Sequence, residues 1–205
     1  MSNDITLVRH GETYWNKSGI CHGQFDIPLN ETGKHQAMNV ASELMYEPFD
    51  VCFCSPLQRA VFTAKEILKY HKNIPVYYDE RLLEIYKGDL EGTINNSRKL
   101  LEHENLDFLK EHEVESKAHF FKRVRDFYLD INKNFYDKNI LIVAHSGTMK
   151  MSMFYFNPPK IKNIVEAYYD ISIKNCGVLK FKNEIPTKEP KLIEYEVDKR
   201  RYPLI

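Results

Sequence analysis

Three short stretches hold residue types suited to chemistry on an anion. Arg9 and His10 stand back to back in LVRHGET, Arg59 follows Ser55 and Pro56 in SPLQRA, and His145 and Ser146 precede Gly147 in VAHSG. A guanidinium is a fork-shaped donor that matches phosphate oxygens. A neutral imidazole is a competent nucleophile toward phosphorus, and a covalent intermediate splits a transfer into two easier steps. The phosphoryl transition state needs mainly positioning and positive charge, which Arg9, Arg59 and His145 supply without a metal. These residues predict that Arg9 holds a phosphoryl group and His10 attacks it. The leaving alcohol then needs a proton, and Glu84 in the Gly-punctuated stretch LLEIYKGDLEG is the candidate donor. A carboxyl acting as an acid near neutral pH needs partial burial or a neighbouring anionic phosphate. Once the alcohol has left, the same carboxylate activates water against phosphohistidine.

Such residues work together only if the fold delivers them to one place. Asp4 to Val8 and Ile140 to Ala144 read as buried strands, and Asp50 to Cys54 as a third. Asn30 reads as the cap of a helix from Glu31 to Tyr46, with Ala37, Val40, Ala41 and Leu44 at helical spacing. Ser55 and Pro56 read as cap and first position of a helix reaching about Tyr70. A short strand at Pro75 to Tyr78, helices at about 147–156 and 118–135, and late strands at 177–182 and 192–197 complete the pattern. Pro158 and Pro159 are expected to stop the helix that starts near Gly147. Strands alternating with helices predict an α/β fold, a mostly parallel central sheet covered on both faces. The stretch from Thr93 to Lys117, rich in Glu, His and Asn, predicts a short helical cap inserted in a single domain spanning 1–205. Ligands of open parallel sheets collect at the carboxyl ends of strands. There the first, second and Ile140-to-Ala144 strands deliver two imidazoles and two guanidiniums, and the two later ends also open helices whose N–H groups favour an anion.

The bulk composition narrows the partners. Lys plus Arg and Asp plus Glu are equal at 29 each, so no basic footprint marks the chain for nucleic acid or an anionic membrane. There is no long apolar run and no basic-then-apolar start, and the expected place is the cytoplasm. Cys21, Cys52, Cys54 and Cys176 are spaced like neither a disulfide scaffold nor a zinc motif, and read as free thiols. Phe120, Phe121, Phe127 and Tyr128 read as core. His35, His71, His103, His112 and His119 read as solvated or satisfied residues.

With LVRHGET, SPLQRA, LLEIYKGDLEG and VAHSG in this order, joined by DIPLNETG, ESKAHFFKRV and NCGVLKF, the chain resembles the histidine phosphatase superfamily in its phosphoglycerate mutase-like branch. The resemblance runs to about Lys182. It implies a three-layer α/β/α fold and no required metal or other cofactor. It implies His10 as the phosphorylated nucleophile, Arg9, Arg59 and His145 as the phosphate pocket joined by Asn16, and Glu84 as proton donor. After Glu84, Ile85-Tyr86-Lys87-Gly88 is similar to phosphatase members rather than mutases, and the segment from Thr93 to Lys117 is short for a mutase. His22-Gly23 is similar to some α-ribazole phosphatases. Ser146 stands where many members carry glycine, and its backbone N–H remains available to a phosphate. His22, Tyr14, Trp15 and Lys87 are substrate-side candidates.

The expected function is a metal-independent phosphomonoesterase acting on a small phosphorylated metabolite, as a monomer or homodimer. The alternatives are a cofactor-dependent phosphoglycerate mutase, a metallohydrolase built on His10, His22, His145 and Glu84, and a catalytically silent phospho-ligand binding module. Neighbouring guanidiniums oppose a bound dication, which disfavours the metal reading.

Overall fold

Alternation along the central strands sets the layers. The computed structural model describes residues 3–94, 106–157 and 164–183. In β4 (Asn139–Ala144), Ile140 and Ile142 join one hydrophobic cluster, while Leu141 and Val143 join another on the opposite face. β1 (Asn3–Arg9) and β2 (Val51–Cys54) divide the same way, Ile5, Leu7 and Phe53 to the first face, Val8, Cys52 and Cys54 to the second. A strand buried on both faces must read as a near-continuous apolar run, as these three do. β3 (Val76–Tyr78) is exposed along its length and forms one edge, and β5 (Val178–Asn183) forms the other. The order is β3-β2-β4-β1-β5, parallel except for β5, which runs antiparallel to β1.

Helices cover both faces, giving the expected α/β sandwich of layers. After the short α1 (Tyr14–Ser18), α2 (Glu31–Glu43) and α3 (Gln58–Leu68) cover the second face with Val40, Ala41, Ala60, Ala64 and Ile67. α4 (Leu106–Glu111) is a single short helix. α5 (Lys117–Asn134) and α6 (Ser146–Phe156) cover the first face, with Phe120, Phe127, Tyr128, Met149 and Phe154 in its core. α7 (Ile164–Asp170) packs Ala167 and Tyr168 into the same cluster.

Several boundaries differ from the sequence reading. Asn30 does cap α2, its Oδ1 accepting from the Gly33 N–H at 2.7 Å, but the helix ends at Glu43. Ser55 does not cap α3. Leu57, with no polar side chain, holds the N-cap position, while the Ser55 hydroxyl accepts from the Leu57 N–H at 3.4 Å and from His145 at 2.7 Å. α7 answers to no expected element. Of the expected cap, α4 is described, and residues 95–105 lie outside the described residues, as do His103, the two prolines at 158 and 159 and the expected strand at 192–197. All four cysteines are free thiols, Cys176 only half-buried.

Candidate active site

β1, β2 and β4 end level, Arg9 pairing with Ala144 and Cys54 with Val143. His10, Ser55 and His145 follow at once and leave the sheet at one edge. Both imidazoles are buried, their ring centroids 5.2 Å apart and their planes at 58°. His10 Nδ1 lies 2.7 Å from the Gly11 carbonyl oxygen. A carbonyl only accepts, so Nδ1 carries the proton and Nε2 keeps its lone pair. His145 has the opposite tautomer. Its Nδ1 accepts from Arg59 Nε at 3.3 Å, so Nε2–H donates to Ser55 Oγ at 2.7 Å. Burial first, then the charge of Arg59 and that of Arg9, hold both rings well below the ordinary imidazole pKa. They are neutral at pH 7.

Among the described residues, the guanidiniums of Arg9 and Arg59 hydrogen-bond to neutral partners only. Arg59 is fully buried and donates to His145, to the Phe25 carbonyl at 2.6 Å and to the Gly23 carbonyl at 2.9 Å. Arg9 Nη1 donates to the Ile173 carbonyl at 2.6 Å, and its buried Nε has no partner. Among the described residues, the arginine ion pairs are those of Arg81, Arg123 and Arg125, not Arg9 or Arg59. Burial lowers the pKa of both, that of Arg59 to about 10, and leaves them charged at neutral pH. Two cations withdrawn from water without a paired carboxylate leave a strong demand for an anion.

The helix N-termini do not meet that demand as the sequence suggested. The Gln58 N–H at the start of α3 donates to Asp26 Oδ1 at 2.7 Å. The Gly147 N–H in the first turn of α6 donates to Glu84 Oε2 at 3.0 Å. The chain's own carboxylates therefore cap both helices, and side chains are left to hold the substrate anion. In that turn the Met149 N–H donates to the His145 carbonyl at 2.9 Å, and the Ser146 and Thr148 N–H groups have no acceptor among the described residues.

Glu84 is locked in place from behind. Its Oε1 accepts from the Ile85 N–H at 2.9 Å, and its backbone carbonyl accepts from Gln24 Nε2 and Arg123 Nη2. Arg123 grips Glu115 through two bonds, at 2.8 and 2.9 Å, and also bonds the carbonyls of Arg81 and Leu83. Gly147 leaves the room for Glu84. A Cβ there would meet Glu84 Oε1 at 2.0 Å, the Tyr168 hydroxyl at 2.5 Å and Phe120 Cε1 at 2.9 Å. Gly147→Ala is expected to cost about 1–3 kcal/mol of stability, read by urea unfolding.

The remaining candidates are placed less uniformly. Asn16 stands in α1, where its Oδ1 accepts from Thr13 N–H and from Asn175 Nδ2, each at 3.2 Å. Asn175 also reaches the His10 carbonyl at 3.2 Å, which ties α1 to the loop that follows β1. His22 Nε2 is 2.5 Å from the hydroxyl of the buried Thr13, and burial beside Arg59, Arg9 and Lys87 takes its pKa down to about 3. Lys87 gives its backbone N–H to Glu91 at 3.0 Å, and its charge stands beside the Cys21 thiol. Tyr14 is 63% exposed and, among the described residues, bonds to none of these groups. Sequence reasoning missed Glu91, whose carboxylate accepts from the N–H groups of Gln24 and Phe25. It thereby holds the loop that supplies two acceptors to Arg59. Gly23 is the signal for that contact: its φ is +50°, and a Cβ there would lie on Glu91 Oε1.

A family profile, the histidine phosphatase superfamily (branch 1), matches residues 5–192. The chain belongs to this superfamily. Among its relatives is phosphoserine phosphatase 1 of Hydrogenobacter thermophilus, 34% identical over 155 residues that cover 71% of this chain and 72% of the relative. The adenosylcobalamin/alpha-ribazole phosphatase of Escherichia coli is 30% identical over 156 residues, 72% of this chain and 75% of the relative. A solved structure, the phosphoserine phosphatase of Entamoeba histolytica in complex with 3-phosphoglyceric acid, superposes with a TM-score of 0.72. It is 30% identical, with 87% of this chain and 90% of that one covered.

Proposed function

We propose that this histidine phosphatase hydrolyses phosphomonoesters of small metabolites through a phosphohistidine on His10, with Glu84 as proton donor and no metal. The observation that carries the reading is a pair of neutral imidazoles beside the buried Arg59 and the half-buried Arg9, two guanidiniums that have no carboxylate partner among the described residues. Arg9, Arg59, Asn16 and His145 hold the phosphoryl oxygens, and the Ser146 N–H adds a backbone donor. The His10 Nε2 lone pair forms a bond to phosphorus as the phosphorus–oxygen ester bond breaks. The leaving oxygen takes the broken bond's electron pair and a proton from Glu84. Water then attacks the phosphohistidine, giving a proton back to Glu84 and returning the P–N electron pair to Nε2. The products are an alcohol and inorganic phosphate. His22, Tyr14 and Lys87 face the alcohol portion. The same reading takes 1–205 as one cytoplasmic domain, with the stretch 93–117 as its cap.

The test is phosphate release from a panel headed by phosphoserine, α-ribazole phosphate and phosphoglycerates, run with and without exhaustive chelation. Release that needs no bisphosphate and survives chelation supports the reading. Transfer between phosphoglycerates that depends on a bisphosphate supports the mutase instead, and tight binding without turnover supports a silent module. Glu84→Gln tests the acid. Its kcat/KM for phenyl phosphate, a poor leaving group, is expected to fall about 10²–10⁴-fold. The loss on 4-nitrophenyl phosphate, whose leaving oxygen needs no proton, is expected to stay below about tenfold. Equal losses on both esters remove the assignment.

A further inference from the structure

We propose that Tyr168 is a positioning residue for Glu84, its phenol donating a hydrogen bond to the carboxylate whenever the acid has given up its proton. The proposal rests on the acid role argued above and adds a residue to it. A single point in space joins the two groups. The position of a Cβ on Gly147 lies 2.0 Å from Glu84 Oε1 and 2.5 Å from the Tyr168 hydroxyl, so the two oxygens are no farther apart than the sum of those distances. Tyr168 is buried. Glu84 Oε1 accepts one bond, from the Ile85 N–H, and a carboxylate oxygen has room for a second.

The phenol remains a donor throughout the working range. Burial first, then the charges of Glu84, Tyr169 and Glu115, push its pKa well above the ordinary value, against Arg123. Lys117 Nζ of α5 and Lys150 Nζ of α6 lie 5.2 and 4.4 Å from the ring centroid, within cation–π range. The reaction leaves Glu84 ionised after the alcohol departs and needs it ionised to take the proton from water. An O–H within reach stabilises that anion at the moment it forms.

Tyr168→Phe keeps the ring, its packing and its cation contacts, and removes only the hydroxyl. For phenyl phosphate, the falling limb of kcat/KM against pH is expected to move up by about one pH unit. In the Glu84→Gln background the same substitution is expected to change kcat/KM less than twofold, because the group it serves is gone. A falling limb that stays in place, or an equal loss in both backgrounds, overturns the proposal. If Glu84→Gln alone leaves the leaving-group dependence intact, the acid reading fails and takes this one with it. If Glu84→Gln behaves as an acid variant while the Tyr168→Phe limb does not move, only the Tyr168 proposal fails.

Discussion

His10→Ala is expected to abolish turnover, with kcat lower by at least about 10⁴-fold. The reason is that no other group in the site can take the phosphoryl. The His145 ring is buried beside it, but its Nδ1 accepts from Arg59 and its Nε2–H is given to Ser55, so it has no free lone pair. The variant loses one hydrogen bond, from Nδ1 to the Gly11 carbonyl, and a ring that makes a cavity of modest size. The fold should therefore survive, and circular dichroism with a thermal melt checks that it does. Rapid quench with a radiolabelled phosphomonoester supplies the chemical readout. Wild-type protein should carry label that is lost in acid and kept in alkali, as expected of a P–N bond, and the variant should carry none. Turnover within tenfold of wild type ends the nucleophile assignment.

Acid should weaken the fold much earlier than its carboxylates alone require. Burial keeps His10, His22 and His145 from taking a proton until far below the ordinary imidazole pKa, His22 until about pH 3. In the unfolded chain the same rings protonate near pH 6.5. Below that pH the unfolded state binds more protons than the folded one, so stability falls as pH falls. Between pH 7 and pH 5.5 each ring removes about 1.3 kcal/mol, roughly 4 kcal/mol for the three, from a total of about 5–15. The lowered carboxyls of Glu115 and Asp126 add to this only nearer their own range, at lower pH. Urea unfolding at the two pH values and constant salt measures the loss, and His22→Gln should reduce it by about 1.3 kcal/mol. A loss below about 1 kcal/mol in the wild-type protein means that the rings are not held neutral.

The strand ends were the legible part of the sequence. LVRH, FCS and VAHS each show a buried run broken by polar residues, and the level ends of β1, β2 and β4 follow once the runs pair in parallel. Arg9, His10, Arg59 and His145 could be placed at one edge for that reason. What lies behind them is less legible because it depends on loops meeting across the site. Ser55 is the clearest case: Ser-Pro before a helix has the local pattern of a cap, yet the hydroxyl serves a histidine 90 residues away. Asp26 and Glu84, which take the helix N-termini, come from loops whose paths no periodicity describes. Glu91 and Tyr168 sit in stretches read for other reasons or not read at all. Arg123 belongs to a quoted motif, ESKAHFFKRV, but its grip on Glu115 and on the backbone behind Glu84 appears only when α5 is docked.

The strand order has a consequence for how the protein is made. β1 and β2 are not neighbours, since β4 lies between them. The ribosome delivers His10 and Arg59 early, but they have no common edge to occupy until residues 139–144 have been synthesised and inserted. A nascent chain therefore holds the two imidazoles and two guanidiniums apart until β4 is inserted, and on the proposed function it would gain hydrolytic activity only when that strand closes the gap.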